Sequence, residues 1–308
     1  MDRSKTGTTW KTIKKMYKFY LLLLPALVFF VLFSYVPMYG VTLAFKDFNM
    51  ALGILKSSWV GTKYFNQLLS SSVFRHAFWN TIIISIYRIL WGFPAPILLA
   101  ILVNEVVHTK FKKAVQTISY FPYFISWVIL GGIIVELLSP TRGVLNYIIS
   151  HFGGIPVYFL TQPQDYRTIL VSTGIWQSVG YGSIIYIAAI TGIDIELYDA
   201  AIVDGANRFQ KIWHITFPGI MPVIIVMLIL TIGQLMNAGF DQIMNTYNAQ
   251  VYATGDIIDT YVYRVGVINM SYSLTTAAGF LKNVIGLVLL IVTNFAVTKM
   301  GHGESAIW

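Results

Sequence analysis

The sequence DAAIVDGANRFQKIWHITFPGIMP, residues 199–222, is the longest polar interruption between apolar runs in the C-terminal half of this chain. Ala200 and Ala201 favour a helix, and Gly205 can adopt the positive φ that ends a helical turn. Pro218 and Pro222 disrupt a helix interior but suit the first turn of a new helix. The segment therefore predicts a helix, a break and a second helix that precedes a membrane span.

Three large apolar side chains in this segment are spaced for one face of a helix. Phe209, Ile212 and Trp213 fall three and four residues apart. A short amphipathic helix with this apolar ridge is suited to docking in a groove on a partner protein. The alternative is an ordinary amphipathic loop between membrane spans.

The composition is that of a polytopic membrane protein. Of the 308 residues, 56% are hydrophobic and only 11% are charged, whereas charged residues make up about a quarter of soluble domains. The absence of cysteine excludes a disulfide framework and a cysteine-based metal site. The formal charge of +8 does not indicate nucleic-acid binding, because membrane topology accounts for most basic residues. The run 20–45 is too long for a signal peptide and lacks a small-residue cleavage site.

Six apolar runs reach the length of about 20 residues that a bilayer core requires. These spans are predicted near 20–45, 78–103, 118–138, 168–192, 220–243 and 281–300, which gives an all-α fold. Four prolines lie within the first two spans, at Pro25, Pro37, Pro94 and Pro96. We expect kinks at these positions, because neighbouring helices in a membrane can satisfy the freed carbonyls.

The distribution of lysine and arginine predicts the orientation of the spans. The segments 1–19, 104–117 and 193–219, together with Lys299 and the tail 301–308, carry twelve basic residues. The longer alternate segments 46–77, 139–167 and 244–280 carry seven. Both termini and the segment 193–219 are therefore predicted to be cytoplasmic. The segment 245–278 is a long outer connection that we expect either to re-enter the membrane in part or to pack over the pore.

The spacing within 199–218 resembles the coupling loop of the permease subunits of binding-protein-dependent ABC importers. In that family Glu-Ala-Ala, a glycine, nine further residues and Ile-x-Leu-Pro form the segment that docks on the ATPase. This chain has Asp199 in place of the glutamate and Phe217 in place of the leucine, and both changes keep charge or apolarity. The resemblance implies that the ATPase contacts Asp199, Ala200, Ala201, Asp204, Gly205, Phe209, Ile212, Trp213, Ile215 and Pro218.

Further similarity to the carbohydrate-uptake branch of these permeases extends over nearly all of the chain. It is carried by LLLLPAL (21–27), GFPAPI (92–97), LVNEV (102–106), FKKAVQT (111–117), YFPYFISWV (120–128) and DTYVYR (259–264). The chain is most similar to permeases for complex and acidic oligosaccharides, such as alginate or pectin fragments. The resemblance implies the six-span maltose-type fold, a second related permease, an ATPase dimer and an extracytoplasmic solute-binding protein.

No catalytic apparatus is visible in the sequence. It contains no Gly-x-x-x-x-Gly-Lys-Ser/Thr phosphate loop, so ATP and Mg²⁺ are expected on the partner ATPase subunits and no cofactor on this chain. The five histidines show no metal-ligand spacing. A self-contained secondary transporter or a channel is the alternative function. Secondary transporters often show internal repeats, and none is visible here.

Sugars are recognised by aromatic faces and by planar polar side chains that hydrogen-bond to hydroxyl groups. The substrate-pathway candidates at membrane depth are Trp176, Gln177, Tyr181 and Tyr186 in the fourth span and Gln234, Asn237 and Asp241 in the fifth. Gly180 and Gly182 keep the fourth helix slim, which allows either close helix packing or room for a ligand. Ordinary helix packing is the competing explanation for each aromatic residue.

Arg88 lies near the middle of the second predicted span, where a buried cation is costly and usually faces the bundle interior or a wet cavity. We favour a structural pair with Glu136 or Asp241. The other hypothesis is that Arg88 attracts an acidic sugar.

Overall fold

The computed structural model describes residues 15–299. Residues 1–14 of the predicted basic segment and the whole predicted tail 301–308 lie outside the described residues. Within that range four helices are long and apolar enough to cross a membrane: α1 (Tyr17–Phe45), α4 (Ser72–Glu105), α10 (Arg208–Gly233) and α14 (Tyr272–Lys299). Two bent pairs bring the number to six if each pair is one span. The all-α fold is confirmed.

The first bent pair replaces the predicted third span. Helices α5 (Thr109–Phe124) and α6 (Trp127–Leu137) meet at 104°, so 118–138 is not one straight span. Pro122 lies in the last, 3-10 turn of α5, and Ile125 and Ser126 are extended. Proline removes a backbone donor, and the extended residues then redirect the chain. The second pair is α8 (Pro163–Thr191) and α9 (Ile195–Val203), which meet at 70°.

Most span boundaries differ from the predicted ones. Helices α4, α8 and α14 begin six, five and nine residues before positions 78, 168 and 281. The fifth span was predicted to reach 243, but α10 ends at Gly233 and Gly239 adopts φ 85° before the short helix α11 (Phe240–Met244). Hydropathy missed this break because the segment around it is still largely apolar.

Three of the prolines in the spans follow π-helical turns. Such turns cover Val31–Tyr35 before Pro37, Arg88–Gly92 before Pro94, and Ile212–Thr216 before Pro218. A π turn contains one extra residue and so accommodates the carbonyl that proline leaves without a donor. Pro218 stands in the first turn of the α-helical part of α10, Phe217–Gly233, as expected, whereas Pro222 lies inside that part. The π turn before Pro218 keeps α10 continuous from Arg208 to Gly233.

The segments 46–77, 139–167 and 244–280, which are predicted to lie outside, contain short helices and one hairpin. A hairpin of β1 (Lys46–Asp47) and β2 (Ser58–Trp59) encloses α2 (Gly53–Lys56), with Lys46 paired to Trp59 in an antiparallel register. Helices α3 (Lys63–Ser70) and α7 (Val144–His151) lie in the first and second connections. The third contains α12 (Tyr252–Gly255) and α13 (Ile258–Val262), which continues as a π turn to Ile268.

The third connection packs against the bundle. Val251, Ile257, Ile258 and Tyr261 are all buried. Arg264 donates two hydrogen bonds to Asp256, at 3.0 and 2.6 Å.

Two buried clusters join α4 to α8 at different heights. The first cluster contains Ile84, Tyr166 and Leu170 together with residues of the third connection. The second cluster contains Ile97, Tyr186 and Ile190 together with Ile220 and Ile224 of α10. The stretch of α4 between Ile84 and Ile97 and the stretch of α8 between Leu170 and Tyr186 therefore face each other between two packed layers.

Candidate functional site

A cavity of about 370 Å³ lies between the two buried clusters, with walls from α4, α6, α8 and α10. Five of the predicted substrate-pathway residues line it: Arg88, Gln177, Tyr186, Gln234 and Asn237. Gln234 and Asn237 belong to the break after α10 rather than to a helical span, and the Asn237 amide donates to the Gln234 side chain at 3.1 Å. The cavity thus combines a cation, amides and an aromatic ring.

Four chemically informative lining residues were not predicted. They are Ser85, Trp127, Ser178 and Thr231. Ser85 and Ser178 could have been found, because they lie one turn before Arg88 and next to Gln177. Trp127 could not, because it reaches the cavity only through the 104° bend before α6.

Three predicted candidates do not line the cavity. Trp176 lies about half exposed on another face of α8. Tyr181 stacks on Tyr123 of α5, with ring centroids 3.9 Å apart and planes 3° apart. Asp241 is exposed in the first turn of α11.

Arg88 pairs with neither of the acids that were predicted for it. Its guanidinium donates to the side-chain oxygen of Gln242, whose amide nitrogen donates to the Leu170 carbonyl at 2.9 Å and to Thr173 at 2.7 Å. Glu136 instead lies 3.6 Å from Arg142. Spacing on helices could not show this arrangement, because Gln242 approaches only after the chain turns at Gly239.

Glycine is required at position 239, because the Arg88 guanidinium packs directly against its backbone. A Cβ at this position would lie 2.3 Å from one terminal nitrogen of the Arg88 guanidinium, and the φ of 85° also disfavours an L side chain.

Two buried polar atoms at the cavity have no hydrogen-bond partner within residues 15–299. They are Arg88 Nε and Ser85 Oγ, which lie one turn apart on α4. Buried polar groups without partners are uncommon in native structures and need an explanation, such as a bound ligand or water. Both atoms are shielded from the cavity, so a ligand would reach them only after these side chains move.

The glycines of α8 serve helix packing as well as the cavity. A Cβ at Gly180 would meet the backbone of Ser119 and Tyr120, and one at Gly182 would meet Pro96 at 3.2 Å. Gly182 also lines the cavity, whereas Gly180 does not. The packing explanation therefore holds for Gly180.

The predicted helix, break and helix of 199–218 are confirmed. Helix α9 ends at Val203, Gly205 adopts φ 77°, and the Ala206 amide donates to the Ala201 carbonyl at 2.8 Å. Asn207 and Gln210 form a reciprocal capping box at the start of α10. This pattern satisfies the free backbone groups at both helix ends.

The apolar ridge on the second helix differs from the prediction in one residue. Phe209 and Trp213 are 73% and 58% exposed, but Ile212 is half-buried. Ile202 and Val203 at the end of α9 extend the exposed apolar surface. Of the remaining predicted residues, Asp199, Ala200, Asp204, Gly205 and Pro218 are exposed, and Ala201 and Ile215 are half-buried.

Known proteins place this architecture in a family. Residues 92–301 match the family described as binding-protein-dependent transport system inner membrane component. The chain belongs to this family. The permease is thus a multi-pass inner-membrane protein, and membership excludes the alternative of a self-contained secondary transporter or channel.

Relatives match the permease over almost its full length. The polygalacturonan/rhamnogalacturonan transport system permease YteP of Bacillus subtilis is 42% identical over 95% of this chain and 91% of its own. Protein LplB of the same organism is 40% identical over 95% and 92%.

Solved structures agree with these sequence relatives. The permease superposes with a TM-score of 0.88 and 42% identity on a chain of a bacterial ABC transporter involved in the import of the acidic polysaccharide alginate. That match covers 95% of this chain and 99% of the other. A second structure, the alginate transporter in complex with an alginate pentasaccharide-bound periplasmic protein, gives the same TM-score and covers 94% and 97%.

Proposed function

We propose that this permease forms part of the membrane path of an ATP-driven importer for an acidic oligosaccharide or polysaccharide. The observation that carries the proposal is the cavity between α4, α6, α8 and α10, in which Arg88 stands among the amide side chains Gln177, Gln234 and Asn237. A uronate carboxylate is a charge-assisted acceptor for a guanidinium, and such hydrogen bonds are stronger than neutral ones. The acidic substrates named for the similar permeases support the same chemistry.

A second permease is the first expected partner. Residues 17–39 of α1 are exposed along their whole length, although they are almost entirely apolar. Lipid and a neighbouring subunit together would cover this surface.

The remaining expected partners are an ATPase dimer, which holds ATP and Mg²⁺, and an extracytoplasmic solute-binding protein. The exposed side chains of Phe209 and Trp213 offer the ATPase an apolar contact on the cytoplasmic side. The excess of lysine and arginine in alternate segments supports this orientation, with both termini in the cytoplasm. ATP-driven closure of the ATPase would then move α9 and the start of α10 as a rigid body and change the access to the cavity.

Replacement of Gly205 tests the coupling role. A Cβ at this position meets nothing within 4 Å, so a substitution acts through the φ of 77° alone. We expect Gly205→Val to reach the membrane but to lose uptake and the co-purifying ATPase, because a β-branched residue strains this conformation. Gly205→Asn is the matched control and should keep both, since asparagine tolerates left-handed backbone. Normal uptake by a stably expressed Gly205→Val would contradict the coupling role.

The substrate class is tested by uptake into proteoliposomes that contain the complex purified through a tag on this chain. Oligogalacturonate and alginate oligosaccharides are compared with neutral oligosaccharides of equal length. We expect ATP-dependent uptake of at least one uronate oligosaccharide. Uptake restricted to neutral oligosaccharides would refute the acidic substrate but not the importer. A chain that transports alone and without ATP would refute both.

A further inference from the structure

The coupling segment, defined as residues 195–216, consists of two arms. The first arm is α9, and the second is the start of α10, from Arg208 through the π turn Ile212–Thr216. The turn around Gly205 joins the arms at one end. A rigid connection to the membrane helices needs a second link away from this turn, because a single turn leaves the arms free to open.

The structure contains such a link. The Tyr198 hydroxyl lies 2.9 Å from the Thr216 hydroxyl, between residues eighteen positions apart. Thr216 is only 1% exposed and Tyr198 is half-buried, so water competes little for this hydrogen bond. Within residues 15–299 no other side-chain hydrogen bond joins the two arms. The bond connects the middle of the first arm to the last residue of the π turn.

The π turn makes this position sensitive. A π turn carries one extra residue in the helix, and such turns are commonly found at functional sites. If the turn were to relax to ordinary α-helix, every residue before it would rotate about the helix axis by roughly 100° relative to the membrane part. The second arm, with Phe209 and Trp213, lies on that side. A side chain that holds Thr216 therefore fixes the direction in which the second arm points.

We propose that Tyr198 is a positioning residue that clamps the two arms together at the base of α10, so that motion of the ATPase is transmitted to the helices around the cavity. This inference rests on the coupling role under the proposed function. Without the clamp, the ATPase can move the first arm while α10 stays in place. Hydrolysis then continues, but the cavity does not change its access.

The test reads cavity access directly and needs no identified substrate. The chain contains no cysteine, so Ser178→Cys places a single thiol of this chain at the cavity. A membrane-impermeant maleimide labels this thiol in the full complex, without nucleotide and with ATP plus vanadate. The measured quantity is the ratio of the two labelling rates, recorded beside the rate of ATP hydrolysis.

In this background we expect Tyr198→Phe, which keeps the ring, to bring the labelling ratio about fivefold closer to one, the typical effect of one hydrogen bond. ATP hydrolysis should persist. Thr216→Val should have the same effect, and Thr216→Ser, which keeps the hydroxyl, should keep the labelling ratio of the parent. The double variant Tyr198→Phe with Thr216→Val should change the ratio no more than either single variant does. Thr191→Val is the matched control, because that hydroxyl bonds only within its own helix, to the Ala188 carbonyl.

The alternative outcomes are distinct. Two outcomes overturn the clamp if the parent still responds to ATP. One is an unchanged labelling ratio in Tyr198→Phe, and the other is a double variant whose effect on the ratio equals the product of the two single effects. If Tyr198→Phe abolishes both ATP hydrolysis and the ATP-dependent change in labelling, the clamp is also overturned, and Tyr198 acts in docking of the ATPase. A parent that shows no ATP-dependent change overturns the proposed function and the clamp with it.

Discussion

Replacement of Gly180 by alanine is expected to separate two helices that touch through their backbones. A Cβ at this position would lie 2.0 Å from the Ser119 carbonyl oxygen and 2.8 Å from the Tyr120 nitrogen. Ordinary van der Waals contact begins near 3.4 Å, so α8 and α5 must move apart by about 1.4 Å. Neither neighbour can rotate away, because both atoms belong to the backbone.

This displacement costs contacts on both sides of Gly180. The Tyr181–Tyr123 stack at 3.9 Å and the hydrogen bond from Gln177 to the Tyr123 carbonyl at 3.4 Å join the same two helices. Overpacking in well-packed interiors costs roughly 1–3 kcal/mol, and we expect Gly180→Ala near the upper end of that range. A loss of about 3 kcal/mol corresponds to a decrease in Tm of roughly 5 °C for a chain of 308 residues, since the entropy of unfolding is about 2.1 cal/mol/K per residue.

The assay is thermal unfolding of the purified complex in detergent, at one heating rate because such unfolding is often irreversible. Gly132→Ala on α6 is the matched control, since a Cβ there meets nothing within 4 Å. It should leave Tm unchanged or raise it slightly, because alanine favours helix over glycine. Gly182→Ala, with Pro96 at 3.2 Å, should fall between the two. Equal Tm values for Gly180→Ala and Gly132→Ala would refute the close contact.

Two further predictions concern charged groups. Arg88→Gln should weaken the complex's affinity for a uronate oligosaccharide by at least about tenfold, because a charge-assisted hydrogen bond is lost; unchanged affinity with less protein in the membrane would leave Arg88 a structural role only. In the hairpin of β1 and β2, hydrogen bonds from Tyr64 and then Lys63 of α3 hold the pKa of Asp47 below its ordinary value of 3.8. A lowered carboxyl pKa stabilises the folded hairpin at pH values above the ordinary pKa, and this stabilisation is lost as the pH falls through the lowered folded-state pKa. The hydrogen-exchange protection factors of residues 46–64, which are corrected for the pH dependence of intrinsic exchange, should therefore fall below a pH of about 4, and Tyr64→Phe should move this loss to higher pH; protection factors that do not change with pH in either protein would contradict the assignment.

The coupling segment shows how far local sequence carries. Gly205, Asn207 and Gln210 predict their own backbone, because left-handed glycine and the capping box depend on residues only a few positions apart. The sequence predicts correctly that prolines perturb the helices, but it does not predict which kind of perturbation results. The sequence around Pro218 does not show that a π turn keeps α10 continuous.

The cavity shows the opposite case. Residue types predict Arg88, Gln177 and Tyr186 as pathway candidates. They do not predict the residues that accompany them in the cavity, because those come from segments far away in the chain. Gln242 reaches Arg88 only after the left-handed turn at Gly239, and Trp127 enters only through the bend between α5 and α6.

The sequence by itself determined the all-α membrane fold, the family and the conformation of the coupling segment. Each of these depends on composition or on spacing within a few turns, and hydrophobic length and capping are local properties. Only the tertiary structure decided which side chains face the cavity, which partner Arg88 has and that Tyr198 meets Thr216. These depend on how the helices cross, and crossing is decided by contacts between residues far apart in the chain.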